Sequence, residues 1–207
     1  KTEGPVTVLD LCAAPGGKST LALSVLPENS FLVANELIRN RAVILAENCT
    51  KWGYPNVAVT QAEAAALGRY VHSFDLVLAD VPCSGEGLFR KDSEAVGAWS
   101  EETVSHCVAR QREIVRAIWP AIRPGGCLIY STCTFNSQEN EENIRWICDQ
   151  LGAETVSVPV RPEWSFASAY EGYAPMQAYH FFPHRVKGEG FFMALLQKKD
   201  SFEDKQV

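Results

Sequence analysis

Two cysteines and an aspartate have the types and settings for covalent chemistry. Cys133 lies in YSTCT, after the apolar run GCLIY and before the polar stretch FNSQENEEN. Cys83 lies in DVPCSGEG, after FDLVLAD, whose last residue is Asp80. A free cysteine is most often a small buried hydrophobe, and Cys49, Cys107 and Cys148 are read that way. A thiol in a polar loop is a better candidate nucleophile or proton carrier. The histidines, His72, His106, His180 and His184, show no spacing that pairs one of them with Cys133, although His184 can be near it in space.

A second cluster is DLCAAPGGKST, beginning at Asp10. Gly16 and Gly17 let a ligand approach the backbone, and the helix start predicted there offers free N–H groups to a nucleotide-like molecule. GGKST ends like a phosphate-binding loop. That motif requires a glycine five residues before Gly17, where Cys12 stands, and the G-x-G-x-x-G pattern is absent too. Glu36, after FLVAN, stands where an acidic residue holds ribose hydroxyls in nucleotide-binding α/β folds. Together these favour an adenosine-containing cofactor without a pyrophosphate.

The elements that must position these groups alternate. Strand-like runs are predicted over 6–11, 31–35, 56–60, 74–80 and 127–131, with two weaker strands near 155–158 and 191–196. Helical patterns cover 17–26, 37–52, 101–122 and 138–150, and Pro120 must kink or end the third. Near-continuous apolar strands between helices imply a mostly parallel, doubly wound α/β sheet. Its ligands bind beyond the carboxyl ends of the strands, where Cys12, Glu36, Asp80, Cys83 and Cys133 all fall.

The 207 residues suit one domain, assigned to 1–200 with a polar tail at 201–207. The sequence starts with Lys1 and enters a strand almost at once, so a fragment of a longer protein is expected. No apolar run is long enough for a membrane span and no leader is evident, so no membrane association and a cytoplasmic location are expected. Seven cysteines without CxxC or Cys/His clusters suggest neither a disulfide framework nor a metal site. The net charge of −6 argues against a stand-alone nucleic-acid binder, but FRKD and PHRVKG are local basic strips.

In order, DLCAAPGGK, ANE, DVPCSGEG, STCTFNSQENE and FPHRVKGEGFF resemble the RNA cytosine-5 methyltransferases of the RsmF/NSUN family. GEGLFRKD is most similar to the RsmF-like ribosomal RNA branch. The resemblance covers about 6–196. It implies the Rossmann-like fold of S-adenosylmethionine-dependent methyltransferases, a seven-stranded, mostly parallel sheet with helices on both faces and its seventh strand antiparallel. It implies S-adenosyl-L-methionine bound by Cys12, Ala13, Ala14, Pro15, Gly16, Gly17 and Lys18, with Glu36 on the ribose. Glu63 matches a family aspartate that contacts adenine, one methylene longer here. Asp80 matches an aspartate shared between cofactor and target base, and Lys18 and Arg41 match cationic positions near both. Cys133 matches the nucleophile, and Cys83 the second thiol that helps release product.

That chemistry needs these residue types. Cytosine carbon 5 is a poor nucleophile until a thiolate adds to carbon 6. A hydrogen bond or proton at N3 disperses the charge, a task that suits Asp80, especially with a raised pKa. The carbon 5 proton must then leave, for which Cys83 is a candidate base. The target base must be unstacked, which costs least in single-stranded RNA. Arg90, Lys91, Arg185 and Lys187 are candidate backbone contacts, and Phe89, Phe181 or Phe182 a candidate stacking ring. Extra domains upstream and downstream are expected from the family. A small-subunit rRNA target is expected from the branch. The alternatives are a tRNA target, a DNA or amino-group methyltransferase, and a silent RNA-binding module. A DNA-type enzyme would leave Cys133 idle, and amino methylation would favour a Pro-Pro-aromatic turn where DVPCSG stands.

Overall fold

The computed structural model describes residues 4–200; the tail expected at 201–207 lies outside them. Five strands run parallel: β1 (Thr7–Asp10), β2 (Phe31–Asn35), β3 (Val57–Thr60), β4 (Phe74–Asp80) and β5 (Ile122–Thr132). Between them lie α1 (Gly17–Val25), α2 (Arg39–Trp52), α3 (Ala64–Gly68), α4 (Ser93–Ala98) and α5 (Glu101–Ile118). After β5 come α6 (Glu141–Leu151), β6 (Ala153–Thr155), β7 (Ala167–Ser168), β8 (Tyr179–Phe181) and β9 (Phe191–Lys198). The sheet order is β3-β2-β1-β4-β5-β9-β8-β7, with β6 also on β9, and β9 runs antiparallel to β5. This is a Rossmann-like α/β fold.

Alternating residues of the strands feed two cores, as burial on both faces requires. Val8 and Leu32 pack with Leu23 of α1 and Leu45 of α2. Leu9, Val77 and Leu128 pack with Val115 and Ile118 of α5 and Ile144 and Ile147 of α6. Pro120 ends α5 as expected: the helix stops at Ile118 and a 3-10 turn, Trp119–Ala121, leads into β5. Ser100 caps α5 by accepting from the Thr103 N–H, and Gly53 ends α2 at φ 73°.

Three expectations need adjustment. The sheet holds nine strands, not seven, because β7 and β8 are only two and three residues long and leave no alternating pattern. The strand expected near 155–158 ends at Thr155. Beyond it, the Val158 N–H turns to the Tyr179 hydroxyl at 2.7 Å instead of a ladder partner. The helix expected from 138 begins at Glu141, because Glu139 and Asn140 are drawn into side-chain bonds beneath the Cys133 loop. Among the described residues, no helix is long and apolar enough to cross a membrane.

Candidate active site

The parallel order places β1 between β2 and β4, so the turns after β1, β2, β4 and β5 converge at one end of the sheet. The turn after β1 is tied from its neighbours. Ala13 N–H donates to Asn35 O at 2.8 Å, Asn48 Nδ2 donates to Pro15 O at 2.7 Å, and Arg41 Nη2 donates to Ala14 O at 3.0 Å. Gly16 has φ 110°, and a Cβ there would stand 3.1 Å from Leu45 Cδ1. The positive φ favours glycine, and any side chain would also have to push the Leu45 methyl aside.

Beside this turn opens a cleft of about 170 Å³. Cys12, Glu36 and Arg41 line it, with Leu37 and Ile38 on one side and Ala62 and Ala64 on another. Arg110 and Ile114 of α5 close it, a contribution that no sequence pattern announced. Glu36 Oε1 accepts from the Ile38 N–H at 3.0 Å. Its buried Oε2 has no hydrogen bond and faces the Arg41 guanidinium at 3.3 Å. The charged residues on the cleft wall are Glu36, Arg41 and Arg110. Burial above all, with Asp10, Glu36 and Asp80 acting against Arg41, pushes the pKa of the Cys12 thiol up to about 12. An apolar-walled cleft with a carboxylate at the end of β2 fits a nucleoside whose ribose hydroxyls donate to it.

The expected cofactor residues divide. Pro15, Gly16 and Gly17 face a separate hollow with Asn48 and Trp52, on the α1–α2 side. Ala13 and Ala14 shape the turn through their backbone. Glu63 is exposed and absent from the cleft wall, although its neighbours Ala62 and Ala64 line it.

Beyond the cleft stand the two thiols. Cys83 Sγ lies 3.3 Å from Cys133 Sγ. The contact with the Cys83 thiol lowers the pKa of Cys133, and the same contact, with burial, raises that of Cys83. Burial raises the other five thiols, so Cys133 is the lowered one among the described residues. Asp80 Oδ2 is 2.7 Å from Lys18 Nζ, and Oδ1 accepts from Ser131 Oγ at 2.8 Å. Lys18 also lies over the Phe191 ring, 5.2 Å from its centroid.

Two buried or half-buried carboxylates hold the thiol loops, and sequence reasoning missed both. Glu139 accepts from Ser84 N–H at 3.0 Å, Gln111 Nε2 at 2.7 Å and Asn136 Nδ2 at 2.8 Å, which joins the Cys83 loop to the Cys133 loop. Glu86 accepts from Phe135 N–H at 2.8 Å and Asn136 N–H at 3.1 Å. Tyr130, fully buried, donates to Glu139 O at 2.7 Å. The signal for this network was the polar run SQENEEN itself, too polar for an ordinary helix start.

The candidate RNA residues fall on two loops that are fastened together. Lys91 pairs with Glu189 at 3.2 Å, and Arg90 Nη1 reaches Gly188 O at 3.5 Å. Arg185 and Lys187 are exposed, and Phe89 is half-buried. Phe181 packs against Phe166 and Phe191, so it is a structural ring. Phe182 lies between His180 and His184.

A family model described as 16S rRNA methyltransferase RsmB/F matches residues 2–197. Ribosomal RNA small subunit methyltransferase F of Pectobacterium atrosepticum is 38% identical over 202 residues, covering 96% of this chain and 41% of that protein. Its counterpart from Serratia proteamaculans is 38% identical over 200 residues, with the same coverage of 96% and 41%. The chain thus spans about two fifths of the length of these relatives. Among solved structures, NSun6 from Pyrococcus horikoshii with SFG superposes with a TM-score of 0.80 at 28% identity, covering 95% of this chain and 48% of that one. The fold, the five motifs in order and this match agree: the chain belongs to the RsmB/F family of 16S rRNA methyltransferases.

Proposed function

We propose that this chain is the catalytic core of an S-adenosylmethionine-dependent RNA cytosine-5 methyltransferase acting on small-subunit ribosomal RNA. The observation that carries the reading is the thiol pair, Cys83 and Cys133 at 3.3 Å, beside Asp80 and next to an apolar-walled cleft that holds Glu36. The rRNA target is supported by the names of the similar proteins, and the cofactor by a neighbour that holds an S-adenosylmethionine analogue.

S-adenosylmethionine, when bound, supplies a methyl group on a sulfonium. Glu36 would hold its ribose, Leu37, Ile38, Ala62 and Ala64 would line its adenine, and Asp10 and Asp80 give the cationic end a negative surround. Cys133, as the thiolate favoured by the Cys83 hydrogen bond, adds to carbon 6 of cytosine, and the C5–C6 π pair moves to carbon 5. The Lys18–Asp80 pair presents a donor to the N3 edge and an acceptor to the exocyclic amino group. Once Cys133 is a thioether, Cys83 loses the acceptor that kept its proton in place, releases that proton to solvent water, and as the thiolate can take up the carbon 5 proton, which returns it to the thiol. The C5=C6 bond reforms as the C6–S bond breaks, which returns the Cys133 thiolate. One thiol opens the adduct and the other closes the cycle.

The test is transfer of a labelled methyl group to rRNA and tRNA from cells lacking the gene, with nucleoside mass spectrometry of the product. 5-Methylcytidine in small-subunit rRNA is expected. 5-Methylcytidine in tRNA alone would move the target, and a methylated amino group or no methylation would refute the activity.

A further inference from the structure

Phe182 was one of three candidate stacking rings, but two imidazoles already stack with it. His180 lies parallel to it, 5.0 Å between centroids and 3° between planes. His184 stacks with Phe182 as well, at 5.4 Å and 20°. The turn that places His184 there is closed by the N–H groups of Arg185 and Val186, which donate to Phe182 O at 2.9 and 3.0 Å. Tyr170 packs against the side of the column, 4.5 Å from His180 and 6.3 Å from Phe182. The column is therefore rooted in the core, where the fully buried His180 Nε2 meets the fully buried Glu141 Oε1 at 2.7 Å. It ends at His184, which is exposed and has no hydrogen bond or ion pair among the described residues.

The column also stands beside the nucleophile. Phe135, two residues after Cys133, has its ring 5.8 Å from Phe182, and Tyr170 donates from its hydroxyl to Phe135 O at 2.7 Å. Gly190, after the same turn, admits the Phe135 ring where a Cβ would meet it at 2.3 Å. Arg185 and Lys187 flank the exposed end, and Lys91 joins it through Glu189. On a chain of net charge −6, this cationic rim is local.

We propose that His184 is the stacking platform for a nucleobase of single-stranded RNA adjacent to the flipped cytosine, with Arg185 and Lys187 on the flanking phosphates. The inference rests on the RNA methyltransferase reading and adds a base-contact residue outside the thiol site. An exposed aromatic ring held by a rigid column is preorganised for stacking, which tolerates any base. The charges alone would give affinity without ordering a base.

The test measures binding of single-stranded oligo(C) RNA across a salt series, with cofactor binding as a folding control. His184→Ala should weaken RNA binding roughly 5- to 100-fold at every salt concentration, without changing the slope against log salt. His184→Phe should restore most of the affinity. Arg185→Ala should instead flatten the slope by about 0.7, the share of one phosphate contact on a single strand. Unchanged affinity in His184→Ala, a change confined to the salt slope, no rescue by Phe, or no RNA binding by the wild type would each overturn the proposal. Failure of the enzymatic reading is separate: RNA bound by the wild type but never methylated leaves the stacking result intact.

Discussion

Replacing Asp10 with Asn should remove a pH dependence built into the fold. Asp10 ends β1 with no exposed surface. Its Oδ2 accepts from Ser19 Oγ at 2.6 Å, and its Oδ1 has no partner. Burial outweighs the Ser19 hydrogen bond and pushes the pKa from 3.8 up to about 6. The folded state therefore holds this proton more tightly than the unfolded chain does. Stability contributed by the protonated form is lost as pH rises from 3.8 to about 6, and the loss is constant above that. A rise of about two units corresponds to about 3 kcal/mol. In the Asp10→Asn variant the amide NH2 replaces Oδ1 without an acceptor, a cost of about 1–3 kcal/mol that does not depend on pH. The difference in unfolding free energy, variant minus wild type, should thus move by about 3 kcal/mol in favour of the variant between about pH 3.5 and pH 7.5. Urea unfolding without cofactor measures it. Parallel stability curves for the two proteins would refute the assignment of a high pKa to Asp10.

Three other perturbations test how the site is held. Tyr130→Phe removes the hydroxyl that donates to Glu139 O and should cost about 1–3 kcal/mol in urea unfolding, with lower kcat because Glu139 sets the Ser84 N–H. Gly87→Ala would place a Cβ 2.7 Å from Cys133 O and 2.8 Å from Glu189 O, both backbone atoms. It should leave cofactor affinity unchanged and lower methyl transfer at least roughly tenfold, because the nucleophile shifts. Arg41→Ala removes the tie to Ala14 O and the partner of Glu36, so calorimetry should show cofactor affinity falling about tenfold while RNA affinity is kept.

The parallel half of the fold was legible in the sequence because β1, β2 and β4 are buried on both faces and read as unbroken apolar runs. Pro120 marked the end of α5 for a steric reason that context does not override. The C-terminal strands were not legible, since β7 and β8 are too short to show a period. In the site, Cys83, Cys133 and Asp80 stood out because each ends a strand in a polar loop. Their supports did not. No motif marks Glu139 or Glu86, and only the tertiary structure reveals that backbone N–H groups converge on them. His184 read as a weak partner for a thiol. Its role as the end of a ring column depends on the turn that folds it back over Phe182.

The central claim is the division of labour between the two thiols. Its most direct measurement is covalent protein–RNA adduct formation by the wild type, Cys83→Ala and Cys133→Ala, with cofactor and small-subunit rRNA, resolved under denaturing conditions. Cys83→Ala should accumulate an adduct, with the modified peptide mapping to Cys133, and Cys133→Ala should form none. An adduct that survives loss of Cys133 and depends on Cys83 would contradict the account and reverse the roles of the two residues.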